Sequence, residues 1–336
     1  MSEMRAFICG FGTIGQSVAK IIKEKQDFFE KRYGEPLIIV GALDSKNFVI
    51  DQDGLDADSV IKTKCDTGRV GGRAYKNIEE ALDSVDFDIL IEVTSTDIKT
   101  GGAGLNNIRH ALETGKDVVT ANKGPLALHY KELISLADEH DRYLLFEGTV
   151  GGAMPIINLN KYDLAGQKIK SIRGIFNGTC NYILTKMDDG QPFEQALKEA
   201  QQQGYAETDP TNDVEGYDSA CKVVILANSI FGRNATLKDV EITGITSINS
   251  DAVALAQNNG MVIRLIGEVS ATKLEVAPRL IPRGHPLSLP GTLNTAEIIT
   301  EYAGPITVSG VGAGGPETAS AILSDIIDIM DERIGD

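Results

Sequence analysis

The 336-residue chain is poor in the residues that build disulfide frameworks and metal centres. Its four cysteines, Cys9, Cys65, Cys180 and Cys221, are scattered and form no Cys-x-x-Cys pair. That pattern excludes a disulfide scaffold or a zinc ribbon and fits reduced thiols in a cytosol. The four histidines include no pair at metal-ligand spacing. No apolar run approaches the roughly 20 residues that a bilayer-spanning helix requires. The opening Met-Ser-Glu-Met-Arg leads directly into a strand and lacks the features of a signal peptide, so a cytoplasmic location is expected. Positive charge is scarce: 32 Lys and Arg against 48 Asp and Glu give a formal net charge of −16. Such a balance argues against nucleic acid or an anionic membrane as partner, and leaves open a small anionic ligand in a locally positive pocket.

The composition is otherwise that of a folded globular protein, 42% hydrophobic and 24% charged, with length enough for two domains. The first strand signal is Arg5 to Cys9, and Gly10-Phe11-Gly12-Thr13-Ile14-Gly15 follows at once. From Gln16 the spacing is helical. A G-x-G-x-x-G between a strand and a helix is the context that dinucleotide binding needs. The first glycine permits the tight turn, the second admits a pyrophosphate, and the third lets helix pack on strand. The helix N-terminus then presents unbonded N–H groups to the phosphates.

Residues 36–43 read as the second strand, with Asp44 at its end. An acid there binds the adenosine ribose and favours NAD, whereas the adjacent Ser45 and Lys46 suit a 2′-phosphate, so NAD and NADP both remain open. A short helix is expected over 77–85 and an apolar strand over 87–93, followed by Thr94 and Ser95 at the edge where open α/β sheets bind ligands. The strand 116–120 closes in Ala121-Asn122-Lys123-Gly124-Pro125, where Lys123 is either a solvated loop charge or a site residue. A helix over 126–140 and a strand over 142–146 complete the alternation, which predicts a Rossmann-type doubly wound parallel sheet.

The Gly-rich stretch 147–155 marks the domain boundary. The expected division is an NAD(P)-binding domain over 1–150, completed by a returning segment 305–336, and a catalytic and dimerisation domain over 151–304. That second domain reads as α+β, with strands near 167–176, 261–269, 273–281, 296–300 and 305–309 and helices at 182–187 and 192–203. Asn177-Gly178-Thr179-Cys180-Asn181 either binds substrate or caps the helix after it. Glu207, Asp209, Asp213, Glu215 and Asp218 then precede Lys222 in a loop that runs into the apolar helix 218–232. Asp218 and Lys222 are four apart and share one helix face. Taken alone this spacing favours an ordinary helix salt bridge over a site. The Gly310-to-Thr318 turn opens a last helix over 319–330.

These stretches together resemble the homoserine dehydrogenase family over nearly the whole chain. The resemblance rests on Gly10 to Gly15, Ala121-Asn122-Lys123, Gly148-Thr-Val-Gly-Gly152, Asn177 to Tyr182, Ala206-Glu207-Thr208-Asp209-Pro210 with Asp218 and Lys222, and Gly312 to Gly315. It implies NAD(P)-dependent interconversion of L-homoserine and L-aspartate 4-semialdehyde, a step toward threonine and methionine. It implies Lys222 as proton donor and acceptor, Lys123 as a second lysine near cofactor and substrate, Glu207 as partner of the substrate ammonium, Asp218 as holder of the hydroxyl end or of Lys222, and Asp213 behind them. Phe11, Gly12, Thr13, Ile14, Thr94, Lys123 and Gly314 are implied at the cofactor. The backbone at Glu147, Val150, Gly152 and Met154 is implied as a cradle for a monovalent cation, Na⁺ or K⁺. A homodimer is expected through the second domain. A chain without the kinase or regulatory domains of many relatives is also expected. An aspartate dehydrogenase would share the glycine loop without needing the Glu207–Asp218–Lys222 block, and a sensor that has lost catalysis would not need both lysines.

Overall fold

The computed structural model describes residues 3–335, which divide into two compact units. The first runs through Thr149 and resumes at Gly314, and the second is Val150–Ala313.

In chain order the first unit comprises β1 (Met4–Cys9), α1 (Thr13–Glu24), α2 (Gln26–Tyr33), β2 (Leu37–Leu43), β3 (Asn47–Ile50), α3 (Ala57–Thr67), β4 (Arg73–Ala74), α4 (Ile78–Leu82), β5 (Ile89–Glu92), α5 (Gly102–Glu113), β6 (Asp117–Thr120), α6 (Lys123–Glu139) and β7 (Leu144–Leu145). The second contains the single turn α7 (Ile156–Asn158), β8 (Ile169–Ile175), α8 (Gly178–Asp188), α9 (Phe193–Gln202), α10 (Thr211–Val214), α11 (Tyr217–Ser229), β9 (Glu241–Ile242), α12 (Ser250–Asn258), β10 (Met261–Ser270), β11 (Leu274–Pro282), β12 (Leu293–Thr300) and β13 (Pro305–Val311). The last helix, α13 (Gly315–Gly335), belongs to the first unit.

The first sheet has the order β4-β3-β2-β1-β5-β6-β7. Strands β2, β1, β5, β6 and β7 are mutually parallel, and most of their side chains are apolar on both faces because helices cover both. The strand order reverses at β1, which places a ligand crevice beyond the carboxyl ends of β1 and β5. One edge departs from the expected all-parallel sheet: the chain turns at residues 44–46 and β3 runs back antiparallel against β2, with β4 beyond it. The core joins Ile8, Val18, Ile22, Ile89, Ile91 and Val119 to Ile322, Ile326, Ile329 and Met330 of α13. The long interval between Gly15 and Asp44 is taken up by α2, whose Phe29 and Tyr33 enter this core.

The second sheet has the order β13-β12-β8-β10-β11-β9, antiparallel except where β9 lies parallel to β11. Helix α11 is buried on every side from Ser219 through Asn228, the pattern of a helix that runs through a core rather than over it.

Three boundaries and three helices differ from the sequence reading. The return to the first unit begins at Gly314 and not at 305, because β13 pairs along its length with β12, from Ile299↔Pro305 to Leu293↔Val311. Helix α6 begins at Lys123 rather than 126, since Asn122 caps it and Pro125 falls in the first turn, where no N–H is needed. Helix α8 begins at Gly178 because the Asn177 side chain caps it. Helices α2, α3 and α12 were not marked by the apolar periodicity, and each puts only two residues out of solvent contact in its described stretch.

Candidate active site

The three glycines of the loop stand in different surroundings. Gly10 has φ of +100°, and a Cβ there would lie 2.5 Å from the Val93 carbonyl oxygen. A Cβ on Gly15 would lie 2.2 Å from the Gly10 carbonyl oxygen. Gly12 is different: it has an ordinary negative φ, is exposed, and a Cβ would meet nothing within 4 Å. The protein itself therefore forbids a side chain at Gly10 and Gly15 and leaves room for one at Gly12. Phe11 is buried in the core, and its N–H and that of Gly10 both donate to the Leu43 carbonyl, 3.0 Å away in each case. Among the amides open to an anion are those of Thr13 and Ile14, at the start of the 12-residue α1, which has no side-chain cap. Gly314 and Gly315 open α13 beside them, so close that a Cβ on Gly315 would lie 2.5 Å from Ser17 Oγ.

Asp44 ends β2 as expected, but its carboxylate is already engaged. Oδ1 accepts the N–H groups of Lys46 and Asn47, both at 2.9 Å, and Oδ2 accepts Lys64 Nζ at 2.7 Å and the Val70 N–H at 3.0 Å. These four donors fill the acceptor capacity of a carboxylate. Burial alone would raise its pKa, but the Lys64 ammonium and the amides of Asn47, Lys46 and Val70 outweigh it and hold the group at about 2. In this arrangement Asp44 shapes the turn that carries Ser45 and Lys46, and a ribose hydroxyl would have to displace one of its donors.

The ends of β5 and β6 bring Thr94, Ser95 and Lys123 to the same edge of the sheet as the glycine loop. Thr94 is half-buried and Ser95 exposed. Lys123 is the first residue of α6, next to the cap Asn122, whose Oδ1 accepts the Gly124 N–H at 3.2 Å. A cation at a helix N-terminus is opposed by the helix dipole by about 0.3–1 kcal/mol, so Lys123 is not placed there for helix stability. Glu147, after β7, is buried, and its N–H donates to Asp325 Oδ2 at 2.9 Å.

In the second unit, Lys222 lies one turn inside α11 at 6% exposure. Its Nζ donates to Asp218 Oδ2 at 2.7 Å and to the Phe176 carbonyl at the end of β8. Asn177 ties this pair to the rest of the acidic loop. Its Nδ2 donates to Asp213 Oδ1 at 2.7 Å and to Asp218 Oδ2 at 2.9 Å, while its Oδ1 caps α8 through the Cys180 N–H at 2.8 Å. Of the two readings of the Asn177 turn, the helix cap is the one seen, and the same side chain also orients two acids. Burial pushes the neighbouring Cys180 thiol well up, with Asp213 and Asp218 adding to it, which leaves a neutral and unreactive thiol. Glu207 is exposed at the outer end of the loop, where its carbonyl accepts Gln201 Nε2 at 3.2 Å. Lys222, Asp218 and Asp213 therefore form one connected group, and Glu207 stands outside it.

Val150, Gly152 and Met154 follow the boundary. Val150 and Met154 are buried, Gly152 has φ of +57°, and the Met154 carbonyl accepts the Ile156 N–H at 2.9 Å. Among the described residues, no group of three or more His, Cys, Asp or Glu side chains is placed to hold a metal ion. No helix among them is long and apolar enough to cross a membrane.

The sequence reading missed Asn177 as a bridge, Asn122 as a cap and Glu92 as a buried acid. Glu92 did leave a signal, as a carboxylate near the end of the apolar run 87–93, where Asp88 near its start is the other.

A family model described as "Homoserine dehydrogenase, NAD binding domain" matches residues 10–147, and one described as "Homoserine dehydrogenase" matches residues 155–327. The chain is 49% identical to a homoserine dehydrogenase of Methanocaldococcus jannaschii, with 97% of this chain and 98% of that one covered. It is 39% identical to an NAD(+)-dependent homoserine dehydrogenase of Pseudomonas canavaninivorans, with 98% and 97% covered. A solved structure of a hyperthermophilic archaeal homoserine dehydrogenase in complex with NADPH matches it with a TM-score of 0.86 at 31% identity, covering 97% of each chain.

Proposed function

The chain belongs to the homoserine dehydrogenase family of NAD(P)-dependent oxidoreductases, and from that premise we propose that it interconverts L-homoserine and L-aspartate 4-semialdehyde with Lys222 as the proton carrier. The observation that carries this reading is the burial of Lys222. Taking an ammonium out of water costs several kcal/mol even when it is paired, and lysine is among the residues least often buried. Here the cost is offset by Asp218 and the Phe176 carbonyl, which hold two of the three N–H bonds and leave the third for a substrate oxygen.

Reduction of the aldehyde needs a hydride at carbon and a proton at oxygen. The nicotinamide, when bound, supplies the hydride. The Thr13 and Ile14 amides and the open space at Gly12 fit its pyrophosphate, with Thr94, Ser95, Lys123 and Gly314 around it. Lys222 polarises the carbonyl oxygen and gives it the proton, so that the new O–H bond forms as an N–H bond breaks. In the oxidative direction the neutral amine takes that proton back. Asp218 fixes Nζ, Asn177, itself held by Asp213, fixes Asp218, and the exposed Glu207 meets the substrate ammonium. Lys123 assists from the cofactor side.

Two further features complete the proposal. A monovalent cation would use the carbonyls of Glu147, Val150, Gly152 and Met154, and dependence of the rate on Na⁺ or K⁺ tests it. A homodimer is supported by exposed Leu280, Leu293 and Val311 on strands β11, β12 and β13, and sedimentation tests it.

The deciding experiment is homoserine-dependent reduction of NAD and of NADP, measured side by side for the wild type and Lys222→Ala. A loss in kcat of about 10²–10⁴ with dinucleotide affinity retained is expected of a proton carrier. Near-normal turnover in the variant sinks the assignment. Absence of turnover in wild-type protein that binds a dinucleotide sinks the substrate.

A further inference from the structure

Glu92 is the last residue of β5 and is 0% exposed. Its Oε1 accepts the Thr94 N–H at 2.8 Å, the Thr94 hydroxyl in a shorter contact, and Asn122 Nδ2 at 3.3 Å. Its Oε2 accepts Asn107 Nδ2 from α5 at 2.7 Å. Its own carbonyl accepts the Thr120 hydroxyl at 2.9 Å and the Ala121 N–H at 3.2 Å. One residue thus holds the ends of two parallel strands and the adjoining helix.

An apolar strand does not need a carboxylate at its end, and burying one costs several kcal/mol. Burial pushes the Glu92 carboxyl above the usual carboxylate range, against the pull of Thr94, Asn107 and Asn122. The neighbouring backbone is built to admit the group: a Cβ on Gly104 would lie 2.4 Å from Asn122 Nδ2 and 3.1 Å from Glu92 Oε1. The connection continues outward. Asn122 Nδ2 also reaches Thr94 Oγ1 at 3.2 Å, and its Oδ1 caps the helix that begins with Lys123.

We propose that Glu92 is a positioning residue for the reaction, whose carboxyl sets Thr94 directly, and Lys123 through Asn122, in one fixed arrangement at the carboxyl edge of the sheet. The proposal rests on reading Thr94 and Lys123 as cofactor-side residues. Without the carboxyl, Thr94 and the first turn of α6 lose their common acceptor and relax independently. A displacement of about 1 Å at a positioning group costs on the order of 10²-fold in rate.

The test compares Glu92→Ala, Glu92→Gln, Asn122→Ser and Lys123→Ala in the full chain, by steady-state kinetics with both substrates and by thermal unfolding. Glu92→Ala is expected to raise the dinucleotide KM and lower kcat, each about tenfold or more, with the homoserine KM within about twofold. Glu92→Gln keeps an oxygen for Thr94 and Asn122, and its NH₂ faces an Asn107 amide that can turn over to accept it, so activity returns to within about threefold of wild type. Asn122→Ser keeps a helix cap but removes the link to Glu92, and it should reproduce the loss in kcat even if Glu92→Ala does not fold. A merely structural role would lower the folded fraction and leave both KM values and the kcat of folded protein unchanged. That outcome in Glu92→Ala or Asn122→Ser overturns the proposal. If Lys123→Ala is itself fully active, the cofactor-side reading has failed instead. Impaired Lys123→Ala beside unimpaired Glu92→Ala and Asn122→Ser refutes the positioning role alone.

Discussion

Replacing Asp44 by asparagine removes one charge and changes almost nothing in shape, yet the structure predicts a large effect. Whichever way the new amide turns, its NH₂ faces two donors. At the Oδ1 position these are the Lys46 and Asn47 amides, and at Oδ2 they are Lys64 Nζ and the Val70 amide. A buried donor left without an acceptor costs about 1–3 kcal/mol. An independent route gives a similar size: a carboxyl held at about 2 when folded and 3.8 when unfolded is worth about 2.5 kcal/mol at neutral pH. Because the folded value is the lower one, this stability is present above about pH 4 and is lost as the pH falls toward 2, with about half remaining at pH 3. For a unit of this size the loss corresponds to a fall of about 5–10 °C in Tm. Thermal unfolding followed by circular dichroism, at pH 7 and at steps down to pH 3, checks both statements. The variant should melt lower at pH 7, and the gap should narrow by about half at pH 3. A variant that melts within about 1 °C of wild type at pH 7, or a gap that does not change with pH, refutes the assignment of Asp44 as the anchor of this turn.

Gly12→Ala is expected to keep the wild-type Tm, since its Cβ meets nothing within 4 Å, while dinucleotide Kd rises about tenfold or more as the methyl enters the pyrophosphate path. Gly15→Ala should instead lower Tm by several degrees, because its Cβ would overlap the Gly10 carbonyl. Asp218→Asn keeps an acceptor for Lys222 but loses the charge and one clean partner for Asn177, and kcat should fall about 10²-fold with dinucleotide Kd unchanged; equal turnover would remove Asp218 from the proton machinery. Lys46→Ala should lower kcat/KM with NADP more than with NAD, by about fivefold or more, if the turn after β2 meets a 2′-phosphate; an unchanged ratio would assign that contact elsewhere.

Strand signals and the glycine loop were legible because each rests on local chemistry. Residues 5–9 and 87–93 are short apolar runs, and Gly10 and Gly15 are required by backbone contacts within a few residues or one neighbouring strand. Asp218 and Lys222 were legible as a pair because helical spacing places them together. Asp44 could be located but not interpreted, since its partners Lys64 and Val70 come from a helix whose weak apolar stripe left no mark in the sequence and from the stretch that follows it. Asn177 and Glu92 were harder still. Their roles depend on Asp213, Asp218, Asn107 and Asn122, which meet them only after strands pair, and no spacing rule connects residues brought together that way. The turn at 121–125 misled because Gly-Pro reads as a break, whereas Pro in the first helical turn removes an N–H that had no partner.

The interrupted first unit has a consequence for synthesis. Ile322, Ile326, Ile329 and Met330 of α13 are fully buried among residues of β1, β5 and α1, so the apolar face they cover stays open until α13 has left the ribosome. The intervening segment, Val150–Ala313, is continuous and contains every strand of its own sheet. At about 5–20 residues per second its translation takes roughly 8–33 s, longer than most single domains need to fold. The unit begun second is therefore the one able to finish first. The nascent protein spends that interval with a dinucleotide-binding sheet that lacks its closing helix, which is the period in which a chaperone has the most to cover.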